Sequence, residues 1–124
     1  TKISNAKKEN KKEIELWGDG TPTRDFIHVK DAARAFVLAA EKYDKSIPIN
    51  IGGGFEISIK DLAEKILKIM NVKLTIKWNS TYPNGQPRRF LDTSKAFEEF
   101  GFKPEIEFDD GLTEIISEYL KNYC

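Results

Sequence analysis

The stretch from Trp17 to Asp31, WGDGTPTRDFIHVKD, constrains this chain more than any other. Gly18 and Gly20 allow a tight bend or positive φ, and Pro22 fixes one φ, so the turn is stiff before anything binds. A stiff turn serves Arg24. Its planar guanidinium suits a phosphate or carboxylate held by two bonds, and a preordered loop lowers the entropy lost in aiming it. Two readings stand: an anion-binding arginine, or a hairpin in which Arg24 pairs with Asp25 or solvent.

Around this stretch the pattern predicts alternating short strands and helices. Ile14 to Trp17 reads as a strand entering the turn, Asp25 to Val29 as a second, and Asp31 as the cap of a helix from Ala32 to about Tyr43. That helix is apolar at 32, 35, 36, 39, 40 and 43 and again at 33, 37 and 38, so other elements should cover most of its faces. Ile47, Ile49 and Ile51 read as a brief strand ending in Gly52-Gly53-Gly54. This glycine run lacks the spacing of GxGxxG and the Gly-Lys-Ser/Thr of a Walker loop, and reads as a flexible turn rather than a phosphate loop. Ser58 with Asp61 begins an amphipathic helix carrying Ile59, Leu62, Ala63, Ile66, Leu67 and Met70.

Leu74 to Trp78 alternates as a half-buried strand, and Asn79 to Pro87 is a loop rich in turn formers that leads into Arg88 and Arg89. These adjacent arginines are either a second anion-binding candidate or a solvated basic pair. Thr93 caps a short helix through Phe97 and Phe100, stopped by Gly101 and Pro104. Asp109 or Asp110 starts the last helix, with Leu112, Ile115, Ile116, Tyr119, Leu120 and Tyr123 at helical spacing.

A length of 124 residues allows one domain, or one part of a larger one. Twenty basic residues balance twenty acidic ones, so no long-range field favours nucleic acid or an anionic membrane, and anion recognition must come from a few converging side chains. Lys2, Lys7, Lys8, Lys11 and Lys12 crowd the front among polar neighbours, which reads as a solvated helix or tail over 1–13. Cys124 and His28 are each the sole residue of their type, which excludes an internal disulfide, a thiolate metal cluster and a histidine-paired nucleophile within one chain. A reducing, cytoplasmic setting is the expectation, with neither a membrane span nor a signal peptide.

Four segments carry a family likeness: WGDGTPTRDFIHVKDAARA at 17–35, INIGGG at 49–54, ISIKDLAEKI at 57–66 and YPNGQPRRFLDTSKAFEEFGFKP at 82–104. Together they resemble the C-terminal portion of extended short-chain dehydrogenase/reductases, the NAD-dependent epimerase/dehydratases of nucleotide sugars. The PNGQPRRFLD segment narrows the likeness toward members acting on GDP-sugars. The resemblance implies an α/β fold: the mixed small-sheet and helix C-terminal domain of the NAD(P)-binding Rossmann superfamily, with the Rossmann core largely absent. It makes 14–124 a nucleotide-sugar substrate-binding domain. It places Trp17 beside the base, Arg24 on the diphosphate and Arg89 on the diphosphate or sugar, with Arg88 and Asn84 as further substrate contacts. Asn84 stands where those members usually carry aspartate, and His28 matches a structural position.

The family's catalytic YxxxK has no counterpart here, since Tyr43, Tyr82 and Tyr119 are followed four residues on by Ile47, Gln86 and Tyr123. The dinucleotide fingerprint is missing too. The chain therefore reads as a fragment with no catalytic residue and no cofactor of its own, NAD or NADP belonging to a longer parent. Its expected partner is a nucleotide-diphosphate sugar, with self-association through the face that a missing half leaves bare. A free-standing nucleotide-binding or protein-interaction module is the alternative, and would show no such face.

Overall fold

The computed structural model describes residues 1–123, so Cys124 and the reading attached to it lie outside the described residues. In chain order these form α1 (Lys2–Lys8), β1 (Glu13–Trp17), β2 (Thr23–Asp25), α2 (Val29–Lys42), β3 (Glu56–Ser58), α3 (Ile59–Ile69), β4 (Thr75–Asn79), β5 (Arg88–Arg89), α4 (Ser94–Phe100) and α5 (Phe108–Tyr123). β1 and β4 pair parallel from Glu13↔Thr75 to Trp17↔Asn79. A second sheet runs β3-β2-β5, with β2 antiparallel to β3 and parallel to β5. β1 and β2 thus lie in different sheets, which removes the hairpin reading: Gly18 and Gly20, both at φ 78°, route the chain from one sheet to the other.

Three expected elements differ. The second strand is Thr23–Asp25, not Asp25 to Val29, and the helix after it starts at Val29 with His28 as its cap. The His28 imidazole Nδ1 accepts from the Lys30 amide at 3.3 Å. Asp31, expected at the cap, lies in the first turn and is only 2% exposed. Its carboxylate accepts from the Glu105 amide at 3.1 Å, the Ile106 amide at 3.0 Å and Arg34 at 3.0 Å. Donors distant in sequence draw it inward, and no local pattern records them. Finally, 47–51 is not a strand, because no neighbouring strand takes its backbone groups. Ile49 and Ile51 instead pack on the core.

That core is small: Ala35, Ala96, Phe100 and Phe102 are buried, with Ile27, Leu38, Ala39, Tyr43, Ile49 and Ile51 packed around them. α4 closes on it through Gly101, whose φ of 72° ends the helix and turns Phe102 inward. α3 opens as expected from Ser58, which accepts from the Asp61 amide at 3.0 Å and donates to its carboxylate at 2.6 Å. The lysine-rich lead is a helix with a buried side. Ser4 and Ala6 face inward, while Lys7 and Lys8 donate to the carbonyls of Met70 and Tyr123.

α2 divides into two faces. Ala35, Leu38 and Ala39 meet the core, while Val29, Ala33, Phe36, Val37 and Ala40 form an exposed apolar stripe, Phe36 at 70% exposure. The excess of apolar residues expected to be covered is therefore bare.

The Asp31 latch yields a stability prediction. Burial raises its pKa, but bonds from the Ile106 amide, Arg34 and the Glu105 amide outweigh that and hold it below the ordinary aspartate value. Its stabilisation is thus complete above the ordinary value and lost as pH falls through the lower folded-state value. Asp31→Ala should cost about 3 kcal/mol in urea unfolding at neutral pH, since two amides and Arg34 lose their acceptor. The difference from wild type should shrink below about pH 4; a gap independent of pH would count against the latch.

Candidate anion-binding site

β2 is the centre of its sheet, and its register with β5 sets Thr23 opposite Arg88 and Arg24 opposite Arg89. Successive strand residues point to opposite faces, so Arg24 and Arg89 share one face on strands about 4.8 Å apart, and Arg88 takes the other. Arg24 donates through Nη1 to its own strand at the Thr23 carbonyl, 2.6 Å, and to the Gln86 carbonyl, 2.9 Å. Arg89 donates through Nε to the Gln86 side chain at 2.6 Å. Gln86 therefore holds both arginines, one by its backbone and one by its side chain. Among the described residues, Nε and Nη2 of Arg24 and both Nη atoms of Arg89 have no protein acceptor. Nothing local marks Gln86 in the sequence, where it reads as a spacer between Gly85 and Pro87.

Arg88 is bound differently. It reaches Glu56 of β3 through Nε at 2.8 and 3.1 Å and through Nη2 at 2.8 Å, and its guanidinium lies 5.0 Å from the Phe90 ring centroid. Thr23 donates its hydroxyl to the same carboxylate. Arg88 first, and then Thr23, hold the Glu56 carboxyl below the usual glutamate range against the desolvation that would raise it.

Trp17 ends β1 at 62% exposure, stacked on Tyr82 with centroids 4.4 Å apart and 12° between planes. Lys2 Nζ lies over the indole at 5.6 Å. The loop carrying Tyr82 is fastened to the glycine turn by Asn84, whose Oδ1 accepts from the Asp19 amide at 2.8 Å. A Cβ on Gly18 would sit 2.2 Å from that oxygen. Thr21 donates twice to Asp19, and these bonds, then the influence of the Asn84 side chain, hold the Asp19 carboxyl below its ordinary value. Of the five residues singled out in the sequence, then, Arg24 and Arg89 stand side by side. Asn84 forms the loop clasp, Trp17 ends β1 against Tyr82, and Arg88 faces away.

Two of the three glycines in the run are closely packed. A Cβ on Gly52 would meet Asp25 Oδ2 at 2.3 Å and one on Gly53 the Phe26 carbonyl at 1.8 Å, while the Gly53 amide donates to Asp25 Oδ1 at 2.8 Å. Gly54 faces open space, while Gly52 and Gly53 thus admit the chain's own Asp25 and Phe26. Asp25 Oδ2 is buried beneath them without a partner. A separate cavity of about 820 Å³ lies between α3 and α5 on Phe26, Phe55, Leu62, Phe108 and Leu112, and no arginine lines it.

This arrangement is that of an extended short-chain dehydrogenase/reductase fold, α/β with small mixed sheets, and residues 1–52 match the NAD dependent epimerase/dehydratase family. The particular relatives are GDP-L-fucose synthases and kindred nucleotide-sugar enzymes. A putative GDP-L-fucose synthase 2 of Arabidopsis thaliana is 38% identical over 117 residues, 94% of this chain and 35% of that protein. A GDP-L-fucose synthetase of Naegleria fowleri, solved bound to NADP, superposes with a TM-score of 0.90 at 22% identity over 98% of this chain and 38% of its own. The UDP-glucose 4-epimerase of Thermotoga maritima, solved with UDP-glucose, gives 0.83 at 26% identity over 96% of this chain and 38% of its own. The chain spans about a third of the length of the curated relatives it matches. No helix among the described residues is long and apolar enough to cross a membrane.

The Asn84 clasp can be tested at its glycine. Gly18 (φ 78°) and Gly54 (φ 66°) both have backbone that disfavours a side chain, but only Gly18 has a neighbour in the way. Gly54→Ala should cost about 1 kcal/mol and Gly18→Ala about 2 to 3 kcal/mol in urea unfolding. Equal costs would show that the clasp contributes nothing.

Proposed function

We propose that this chain is the nucleotide-sugar-binding part of an NAD(P)-dependent epimerase or reductase of the GDP-L-fucose synthase kind, supplying binding and no redox chemistry. The observation that carries this is the pair of unoccupied guanidinium edges on one face of β2 and β5, joined through Gln86. A diphosphate offers the oxygens that such a pair takes by charge-assisted bonds. Trp17, exposed and stiffened by Tyr82, provides the neighbouring surface for the base, and Asn84 fastens that surface to the arginine loop. Holding the diphosphate far from the reacting carbon anchors the sugar, which is how remote binding energy raises a rate.

In a longer enzyme of this kind, NADP(H) or NAD(H) would supply the hydride chemistry, and a serine, tyrosine and lysine would manage protons. None of those steps belongs to residues described here, where Gly52 and Gly53 pack against Asp25 and Phe26. The bare stripe on α2 is the surface we assign to the cofactor half, or to a second copy where that half is missing. A free-standing module would have no reason to expose it.

Titration with GDP, UDP and dTDP, read by tryptophan emission, tests the proposal. GDP should quench saturably and most tightly, and Arg24→Ala should weaken it about tenfold or more, one charge-assisted contact contributing about 1.5 to 3 kcal/mol. A chain that binds none of the three, or a variant that binds as wild type does, overturns it.

A further inference from the structure

Arg88 and Glu56 form the most completely bonded ion pair near the candidate site, with three N–H···O contacts between 2.8 and 3.1 Å and the Thr23 hydroxyl on the same carboxylate. The pair spans the sheet, since Glu56 is on β3, Arg88 on β5, and β2 runs between them. β5 is only two residues long, and backbone bonding alone holds so short a strand weakly. A slip of one residue would carry Arg89 to the face Arg88 now occupies and dissolve the pairing with Arg24. Glu56 is also an anion on the strand next to the one that carries Arg24, where simple Coulomb repulsion would oppose a bound anion.

We propose that Glu56 and Arg88 are a lock across β3, β2 and β5 that positions Arg24 and Arg89 for an anionic diphosphate, Arg88 acting through Arg89 and not on the ligand. This rests on the anion-binding role proposed above. It assigns Arg88 a place different from its neighbour: adjacent arginines share a sequence signal, but strand alternation gives one the ligand face and the other the structural face. Phe90, against which the guanidinium of Arg88 lies, is part of the same hold.

The test is the sign of the effect of Glu56→Gln on binding of inorganic pyrophosphate and GDP, measured by calorimetry on this chain. Were Arg88 a direct ligand, removing Glu56 would free its donors and delete a negative charge, and both anions would bind more tightly. The lock requires the opposite: both should bind about five- to tenfold more weakly, as misplaced contacts do. Arg88→Lys, which keeps the charge but loses the two-pronged geometry, should weaken them likewise. The exchanged pair Glu56→Arg with Arg88→Glu should recover most of the affinity.

Weaker binding in Glu56→Gln with wild-type circular dichroism and melting temperature, and recovery in the exchanged pair, supports the lock. Unchanged or tighter binding in Glu56→Gln overturns it. Should Glu56→Gln prove unfolded, the exchanged pair decides: affinity near wild type with no arginine left at position 88 supports the lock, and a loss of both anions in a folded exchanged pair overturns it. A wild-type chain that binds neither pyrophosphate nor GDP overturns the anion-binding role itself and the lock with it, an outcome read before any variant is made.

Discussion

Three residues of β2, Thr23 to Asp25, carry most of what distinguishes this structure. Their backbone joins β3 on one side and β5 on the other, and the two-residue period of the strand then sorts the side chains. Arg24 goes to one face beside Arg89, and Thr23 goes to the other beside the Glu56–Arg88 pair. Asp25 ends the strand against Gly52 and Gly53, where only glycine admits the close approach. A shift of one residue in any of these pairings would exchange the side chains of the two sheet faces throughout.

Around that strand the apolar packing is thin. Phe102 is the largest fully buried side chain described, and much of the apolar surface of α2 is open. Specific polar fastenings therefore tie distant segments together: Asp31 holds the turn at 105–106 to α2, and Asn84 holds the arginine loop to the glycine turn. Each satisfies backbone amides that irregular chain would otherwise leave unpaired. In our proposal the bare face of α2 is the surface that a cofactor-binding half would cover.

Elements with a strong local period were legible in the sequence. α3 began at the expected Ser58 cap, β4 alternated as read, and α4 ended at Gly101, although Thr93 makes no side-chain cap bond and Asp92 accepts from the Ser94 amide instead. The strand expected at 47–51 failed for want of a neighbour, and the cap of α2 moved to His28 because remote amides claim Asp31. Arg24 and Arg89 were each singled out in the sequence, but their adjacency on one face was not. Gln86 was not, because a glutamine between glycine and proline carries no signal until both arginines are seen to bond to it.

The sequence by itself determined the α/β class, the kinship to nucleotide-sugar epimerases and reductases, the glycine turn after Trp17 and the surplus of apolar residues on α2. All of these rest on residue types and spacings within a few turns of chain. Only the tertiary structure decided that Arg24 and Arg89 stand together while Arg88 turns to Glu56, and that Asp31 is a buried latch. Strand partner and register are set by contacts between segments some sixty residues apart, and no local pattern contains them.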